Sequence, residues 1–368
     1  VNAMHLVYNL GVRIVAFLFL IASIFHAKAK LFVKGRHKLI KRMARELKGE
    51  SHVWIHSASL GEFEQARPII ERIRLEYPGQ KILLTFFSPS GYEVRKDYPL
   101  AEKVYYLPWD LPKNANQFVT LVNPRVAIFI KYEFWYNYCQ ALSSRKIPLL
   151  SVSSIFREDQ LFFKPYGSFY RNMLPMFSHF FVQNDKSVEL LKSLHIGSVT
   201  KAGDTRFDRV NQIVVQGDPI PEAERLKGNE QTFVIGSSWD EDIDVLAPFI
   251  NENYYQMKFI IAPHEITEEN ITYIEQALQV KSVRFSKLGS VDDPDEYRVL
   301  IIDNIGMLSR LYRYGEFAYV GGAFGKGLHN ILEAACYGVP IFFGDKNYQK
   351  YEEANELIMR GGAFEVSD

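Results

Sequence analysis

The sequence predicts an α/β protein of two domains, each built on a parallel sheet with helices on both faces. Two observations carry this. Strand-like apolar runs alternate with amphipathic ones through both halves of the 368 residues, the pattern of βα units. Two stretches far apart, Val53–Glu62 and Gly321–Glu333, read alike as apolar strand, small-residue or glycine turn, then helix.

In the first half the candidate strands are Val53–His56, Lys81–Phe87, Lys103–Tyr106, Val126–Lys131, Pro148–Val152, His179–Val182 and Val199–Lys201, with helical patterns such as Glu62–Tyr77 and Asp185–Leu194 between them. Gly217-Asp-Pro-Ile-Pro221 breaks the pattern and reads as a linker. The second half offers strands at Thr232–Gly236, Lys258–Ala262, Val299–Ile302, Phe317–Val320 and Pro340–Phe343. Its helices are expected at Asp240–Asn253, Thr267–Leu278, Ile305–Tyr314 and Asn330–Tyr337. The expected organisation is a membrane-anchoring and basic segment over 1–48, one domain over 49–215 and a second over 222–368.

A content of 47% hydrophobic and 23% charged residues excludes wholesale disorder. Cys139 and Cys336 both lie in apolar runs, so no disulfide framework is implied. No second Cys or His stands at ligand spacing from either, and no metal site is read. Net charge is zero but uneven: ten basic residues from Arg13 to Lys48 face one acid, Glu46, giving +9 there and −9 elsewhere. A basic segment beside an apolar one points to a membrane surface rather than to nucleic acid.

That apolar segment spans residues 5–25, with a charge-free core of 12 residues, Ile14–Phe25. A spanning helix needs about 20. An anchor that spans or lies in the interface, a cleaved signal peptide ending near Ala27-Lys-Ala29, and a buried core helix are all compatible with this length. The basic cluster that follows favours the cytoplasmic side.

Chemistry is expected where strands end and helices begin. Glu62 is the general-base candidate, beside Gly61 at a helix start. It could equally be a carboxylate that offsets the helix dipole. Ser88-Pro-Ser90-Gly91 either lines the same cleft or starts the next helix. Glu133, in Lys131-Tyr-Glu-Phe-Trp-Tyr-Asn137, could hydrogen-bond a sugar. In the second half, Gly236-Ser237-Ser238-Trp-Asp240 reads as a phosphate cradle or an ordinary helix cap. Gly321, Gly322 and the rest of that glycine loop offer close backbone approach to a phosphate, with a helix expected near His329-Asn330. Asn330 and Glu333 could also form a capping box, or Glu333 could accept from ribose hydroxyls. His264, in Ala262-Pro-His264, could bind phosphate, protonate a leaving group or be structural. The loop is neither a dinucleotide fingerprint nor a Walker loop.

Seven short motifs then resemble one family in order: Ser57-Ala-Ser59-Leu-Gly-Glu62, Ser88-Pro-Ser-Gly91, Glu133-Phe-Trp-Tyr-Asn137, Gly203-Asp-Thr-Arg-Phe-Asp208, Gly236-Ser-Ser-Trp239, Ala262-Pro-His264 and His329-Asn-Ile-Leu-Glu333. They are similar to the 3-deoxy-D-manno-octulosonic acid (Kdo) transferases of lipopolysaccharide synthesis. The resemblance implies a GT-B glycosyltransferase with two Rossmann-like domains facing a central cleft. It implies CMP-Kdo as donor substrate with no further cofactor, a lipid A precursor as acceptor, and inversion at the cytoplasmic face of a bacterial inner membrane. Glu62 matches the proposed base. Ser59, Gly61, Ser88, Ser90 and Glu133 match the acceptor side, and Ser237, Ser238, His264, Gly321, Gly322, Asn330 and Glu333 the donor side. Lys131-Tyr-Glu133 stands where Glu-Thr-Glu is common in the family. The alternatives are another GT-B UDP-sugar transferase, a sugar-nucleotide epimerase, or a non-catalytic membrane-tethered sugar-nucleotide binder.

Overall fold

The structure, a computed structural model, describes residues 3–47, 49–208, 210, 214 and 218–367. Lys48, Val215, Gly217 and Asp368, which bound the expected domains and linker, lie outside the described residues. The chain divides into two compact units, Val1–Arg209 and Val210–Asp368.

The first unit opens with three helices: α1 (Ala3–Phe25), α2 (Ala27–Arg36) and α3 (Leu39–Glu46). Seven strands follow: β1 (His52–Ser57), β2 (Ile82–Phe86), β3 (Lys103–Tyr106), β4 (Pro124–Ile130), β5 (Leu149–Ser154), β6 (His179–Val182) and β7 (Val199–Lys201). They form one parallel sheet in the order β3-β2-β1-β4-β5-β6-β7. β1 and β2 are buried along their whole length. Their near-continuous apolar runs therefore follow from helices covering both faces. α4 (Leu60–Glu76) packs Phe63, Ala66 and Ile70 against one face. Pro68 sits inside this helix.

The second unit repeats the architecture with β8 (Thr232–Ser238), β9 (Lys258–Pro263), β10 (Ser282–Arg284), β11 (Val299–Ile301), β12 (Phe317–Val320), β13 (Ile341–Gly344) and β14 (Ala363–Val366). Its order is β10-β11-β9-β8-β12-β13-β14, again parallel. β10 and β14 are edge strands that the sequence reading missed. Each is short, and β10 holds only one fully buried side chain, Val283.

Two expected helices are shorter than the pattern suggested. Ile305–Tyr314 is one α turn, Leu308–Leu311, continued as a 3-10 turn. Asn330–Tyr337 reduces to Leu332–Ala335. Residues 328–331 run as loop, so no long helix points its positive end at the glycine turn.

Among the described residues, one helix, Met4–Phe25, is long and apolar enough to cross a membrane. It docks on its own unit near both ends. Tyr8 O–H donates to Asp110 Oδ2 at 2.6 Å, His5 lies 3.0 Å from Asn137 Oδ1, and Asn137 Nδ2 donates to Asn9. Further along, Phe19 stacks on Phe32 of α2 at 4.3 Å and lies 5.8 Å from Trp109. Asp110 is the buried centre of the first latch, and it also accepts from the backbone N–H of Asn137 and Tyr138. Burial pushes its carboxyl up to about 6, against the pull of those donors.

Tyr8→Phe removes one donor from this buried carboxylate. The expected cost is about 1–3 kcal/mol. It is read as a lower urea midpoint of the first unit and earlier proteolytic cutting between α1 and α2.

Candidate functional site

Each sheet reverses its strand order beside its first strand, between β1 and β4 in one unit and between β8 and β12 in the other. The crevice beyond the carboxyl ends at such a reversal is the favoured ligand position in open α/β sheets. The candidate residues of each unit fall on those loops.

In the first unit, Glu62 lies in the first turn of α4, half-buried, and accepts a hydrogen bond from Ser59 Oγ. Ser59 is the N-cap position, yet its side chain is directed to Glu62 rather than to the helix N–H groups. Gly61 is exposed, and a Cβ there would meet only Ser59 Oγ, at 3.8 Å, leaving open space beside the carboxylate. Ser88 caps α5 (Pro89–Arg95) by accepting from Ser90 N–H, and its own N–H donates 2.7 Å to Ala58 O. That bond ties the turn after β2 to the turn after β1.

Glu133 follows β4 and is almost buried, with 11% of its side chain exposed. Its Oε2 accepts from Trp135 Nε1 at 2.6 Å and from His56 Nε2 at 2.9 Å. His56, the residue before the small-residue turn, is fully buried and was not singled out from the sequence. Its Nδ1 lies 2.9 Å from Thr85 Oγ1, which in turn accepts from Trp54 Nε1 at 2.8 Å. Trp54 donates to Thr85 Oγ1, and His56 Nδ1 also lies 3.1 Å from Thr85 O, so the ring is held from the β2 side by both oxygens of Thr85. A polar residue inside an apolar strand was the available signal.

α4 is fixed from behind by the Gly203–Asp208 motif. Gln65 donates 2.9 Å to Asp204, and Thr205 Oγ1 donates 2.7 Å to Gln65 O. Burial alone would raise the Asp204 carboxyl, but Arg206 outweighs it and holds the group low.

In the second unit, Ser237 is an extra residue between the pairs Gly236↔Ala262 and Ser238↔Pro263, with φ +53. Such a bulge re-aims the strand end. The following helix, Asp240–Asn253, is capped by neither Ser238 nor Asp240. Asp242, fully buried, does this: its Oδ2 accepts from Trp239 N–H and from Gly322 N–H, both at 2.9 Å, and its Oδ1 from Tyr319 O–H at 2.7 Å. Burial raises its carboxyl despite these donors. Asp242 thus joins the β8 turn to the glycine loop, a role the sequence reading did not assign.

The glycines serve the protein's own packing. A Cβ on Gly321 would collide with Ser237 O and sit 2.7 Å from Asp242 Oδ2. Gly322 has φ +95, and a Cβ there would sit 2.5 Å from Gly327 O. The expectation that they are glycine for ligand approach is therefore not needed to explain them.

Three aromatic side chains from separate loops assemble beside this turn. His264 stacks on Trp239 at 4.5 Å and on His329 at 4.2 Å. Trp239 Nε1 donates 2.9 Å to His329 Nε2, and Lys326 Nζ lies 3.5 Å over the indole. Burial, with His264 adding to it, lowers His329 to about 4. Burial also lowers His264, opposed by Glu265 and helped by Lys326. Both rings are neutral at neutral pH. Asn330 Nδ2 donates 2.9 Å to Glu333 Oε1, and the capping box that was one alternative for this pair is not formed. Asn330 Oδ1 and Ser238 Oγ are buried with no hydrogen-bond partner in the structure. No group of three or more His, Cys, Asp or Glu among the described residues could hold a metal ion.

The family model described as 3-Deoxy-D-manno-octulosonic-acid transferase (kdotransferase) matches residues 33–209. The 3-deoxy-D-manno-octulosonic acid transferase of Aquifex aeolicus is 28% identical over 322 residues, covering 86% of this chain and 82% of that one. The transferase of the same description from Chlamydophila psittaci is 26% identical, covering 84% and 72%. Among solved structures, the UDP-GlcNAc 2-epimerase of Neisseria meningitidis aligns over 86% of this chain and 87% of its own with TM-score 0.58. At 12% identity that likeness shows the fold alone, the pair of parallel α/β units of the GT-B class. By family model and curated relatives together, the chain is a glycosyltransferase similar to the Kdo transferases.

Proposed function

We propose that the protein transfers Kdo from CMP-Kdo to a lipid A precursor at a membrane, with inversion at the anomeric carbon. The observation that carries the reading is Glu62. It is a half-buried carboxylate at the switch point of the first sheet, oriented by Ser59, with open space at Gly61 beside it. In this reading an acceptor hydroxyl oxygen forms its bond to the Kdo anomeric carbon on the face opposite the phosphate. The anomeric carbon–oxygen bond to phosphate breaks, CMP leaves, and Glu62 takes the hydroxyl proton. Ser88, Ser90 and Glu133 are proposed to line the acceptor side, with His56 and Trp135 holding Glu133 in place. Ser237, Ser238, His264, Gly321, Gly322, Asn330 and Glu333 are proposed for the donor side. The unpartnered Ser238 Oγ and Asn330 Oδ1 are polar atoms that a bound nucleotide could satisfy. CMP is a good leaving group, so the residues need to stabilise its charge rather than hold a metal.

The docking of α1 along the unit at His5, Tyr8 and Phe19 supports an anchor lying in the membrane interface. A helix that leaves the body to span the bilayer would not keep such contacts near both ends. Its large exposed apolar side chains, Phe17, Leu18, Ile21 and Ile24 among them, are what the lipid would cover.

Glu62→Gln keeps shape and removes the base. Purified protein given CMP-Kdo and a tetraacyl lipid A precursor should lose about 10²–10⁴-fold in kcat with this change, while CMP binding is unchanged. Activity near wild type in the variant would remove Glu62 from the mechanism. Binding of UDP in preference to CMP would remove the donor.

Asp242→Asn places N–H groups against donors. It should weaken CMP binding measured by calorimetry while leaving the unfolding of the first unit untouched.

The depressed His329 value gives a pH window. The unfolded ring takes a proton near 6.5 and the folded ring only near 4. This contribution is present above pH 6.5 and is lost as pH falls from 6.5 towards 4. Thermal unfolding of the second unit should therefore depend less steeply on pH across that window in His329→Gln than in wild type.

A further inference from the structure

A second cluster of cations lies at the junction of α2 and α3 and includes none of the residues proposed for transfer. A cavity of about 210 Å³ is lined by Arg36, Lys38 and Lys41, by Trp109 and Asn114, and by the first residues of α3. No carboxylate lines it among the described residues. Lys38 is the N-cap of α3, in left-handed backbone with φ +51. No side chain caps that end, and no acid sits in its first turn. The first intrahelical bond is Arg42 N–H to Lys38 O. The N–H groups of Leu39, Ile40 and Lys41 thus have no partner within the helix, and the helix dipole adds positive potential there.

Arg36 supplies an independent observation. Its guanidinium is largely buried against Phe32, at 3.8 Å from the ring centre, and Trp109, at 5.3 Å. It donates to Leu107 O at 2.8 Å, Phe87 O at 2.6 Å and Phe32 O at 3.2 Å. Its charge meets carbonyls and ring faces, and no ion pair to it is formed among the described residues. Burial lowers it to about 9, so it remains a cation at neutral pH. Held there by carbonyls, the Arg36 charge adds to the positive potential of the cavity wall and favours an anion in it.

The cavity also adjoins the apolar helix. Trp109, which lines it, lies 5.8 Å from Phe19 of α1. Tryptophan and lysines beside an apolar helix are the composition of the headgroup layer. A soluble anion would need no such neighbour. We propose that this cavity binds the phosphate of an anionic lipid headgroup and so sets the depth at which the first unit sits in the bilayer surface. The proposal rests on the interfacial reading of α1, not on the identity of the transferred sugar.

The test compares the full chain with Lys38→Ala/Lys41→Ala, both exposed positions, and with a control pair, Lys28→Ala/Lys30→Ala, which removes equal charge outside the cavity. Cosedimentation is measured on phosphatidylcholine vesicles with and without phosphatidic acid. The phosphatidic-acid-dependent part of binding should fall roughly tenfold in the cavity pair, clearly more than in the control pair. Inorganic phosphate at matched ionic strength should compete. Equal loss in both pairs would show diffuse charge attraction and overturn the site. Inorganic phosphate binding lost in the cavity pair, with vesicle binding unchanged, would assign the cavity to a soluble anion and overturn the lipid. CMP binding, measured alongside, reports on the transferase reading separately, so the two fail independently.

Discussion

Burial on both faces leaves a parallel strand only its carboxyl end for chemistry, and that constraint organises both units. β1, β2 and β9 have no exposed residue along their length. A buried ring or carboxylate near such an end is costly unless it is paired inside the protein. His56 and Asp242 are the two answers. His56 is linked through Thr85 to Trp54 on one side and to Glu133 on the other, so the turn after β1 and the loop after β4 are set against each other. Asp242 does the same for the turn after β8 and the loop after β12, with three donors on two oxygens. Neither residue faces a ligand in the proposed mechanism. Both determine where the residues that would do so can stand.

Much of this was legible in the sequence because parallel strands announce themselves. β3, β6, β7 and β12 begin and end where the apolar runs do, and Asp240–Asn253 is the helix its pattern predicts. The edge strands of the second sheet were not legible: β10 has a single buried side chain, Val283, and β14 keeps two exposed positions. Asn330–Tyr337 failed for a different reason. Its residues are apolar at helical spacing, but the preceding loop is held by bonds of Gly325, Gly327 and His329 back to Gly321 and Gly322. Tertiary bonding overrides local propensity there. The candidate site shows the same division. Loops at strand ends could be named from spacing, whereas His56 and Asp242 could not be ranked. A buried histidine or aspartate looks ordinary until its partners, in these two cases residues 77 and 80 positions away, are known.

The charges in the second unit constrain the donor reading further. The helix that begins at Asp240 would attract a phosphate by its backbone, but its first turn already carries Asp240, Glu241 and Asp242. Burial and the neighbouring Glu241 and Asp244 raise Asp240, a sign of mutual repulsion among these acids. An anion placed directly on that helix end would add to the repulsion. The opposite charge gathers on the glycine loop and the turn after β13. Lys326 lies over Trp239, Lys346 Nζ is 5.7 Å from the Phe324 ring, and Lys350 Nζ is 3.3 Å from where a Cβ on Gly327 would be. All three are exposed, and no ion pair is formed by any of them among the described residues. The phosphate of a nucleotide donor is then better matched by the loop and its lysines than by the helix end. Ser238 and Asn330 would stand nearer the sugar or base, where neutral hydrogen bonding suffices.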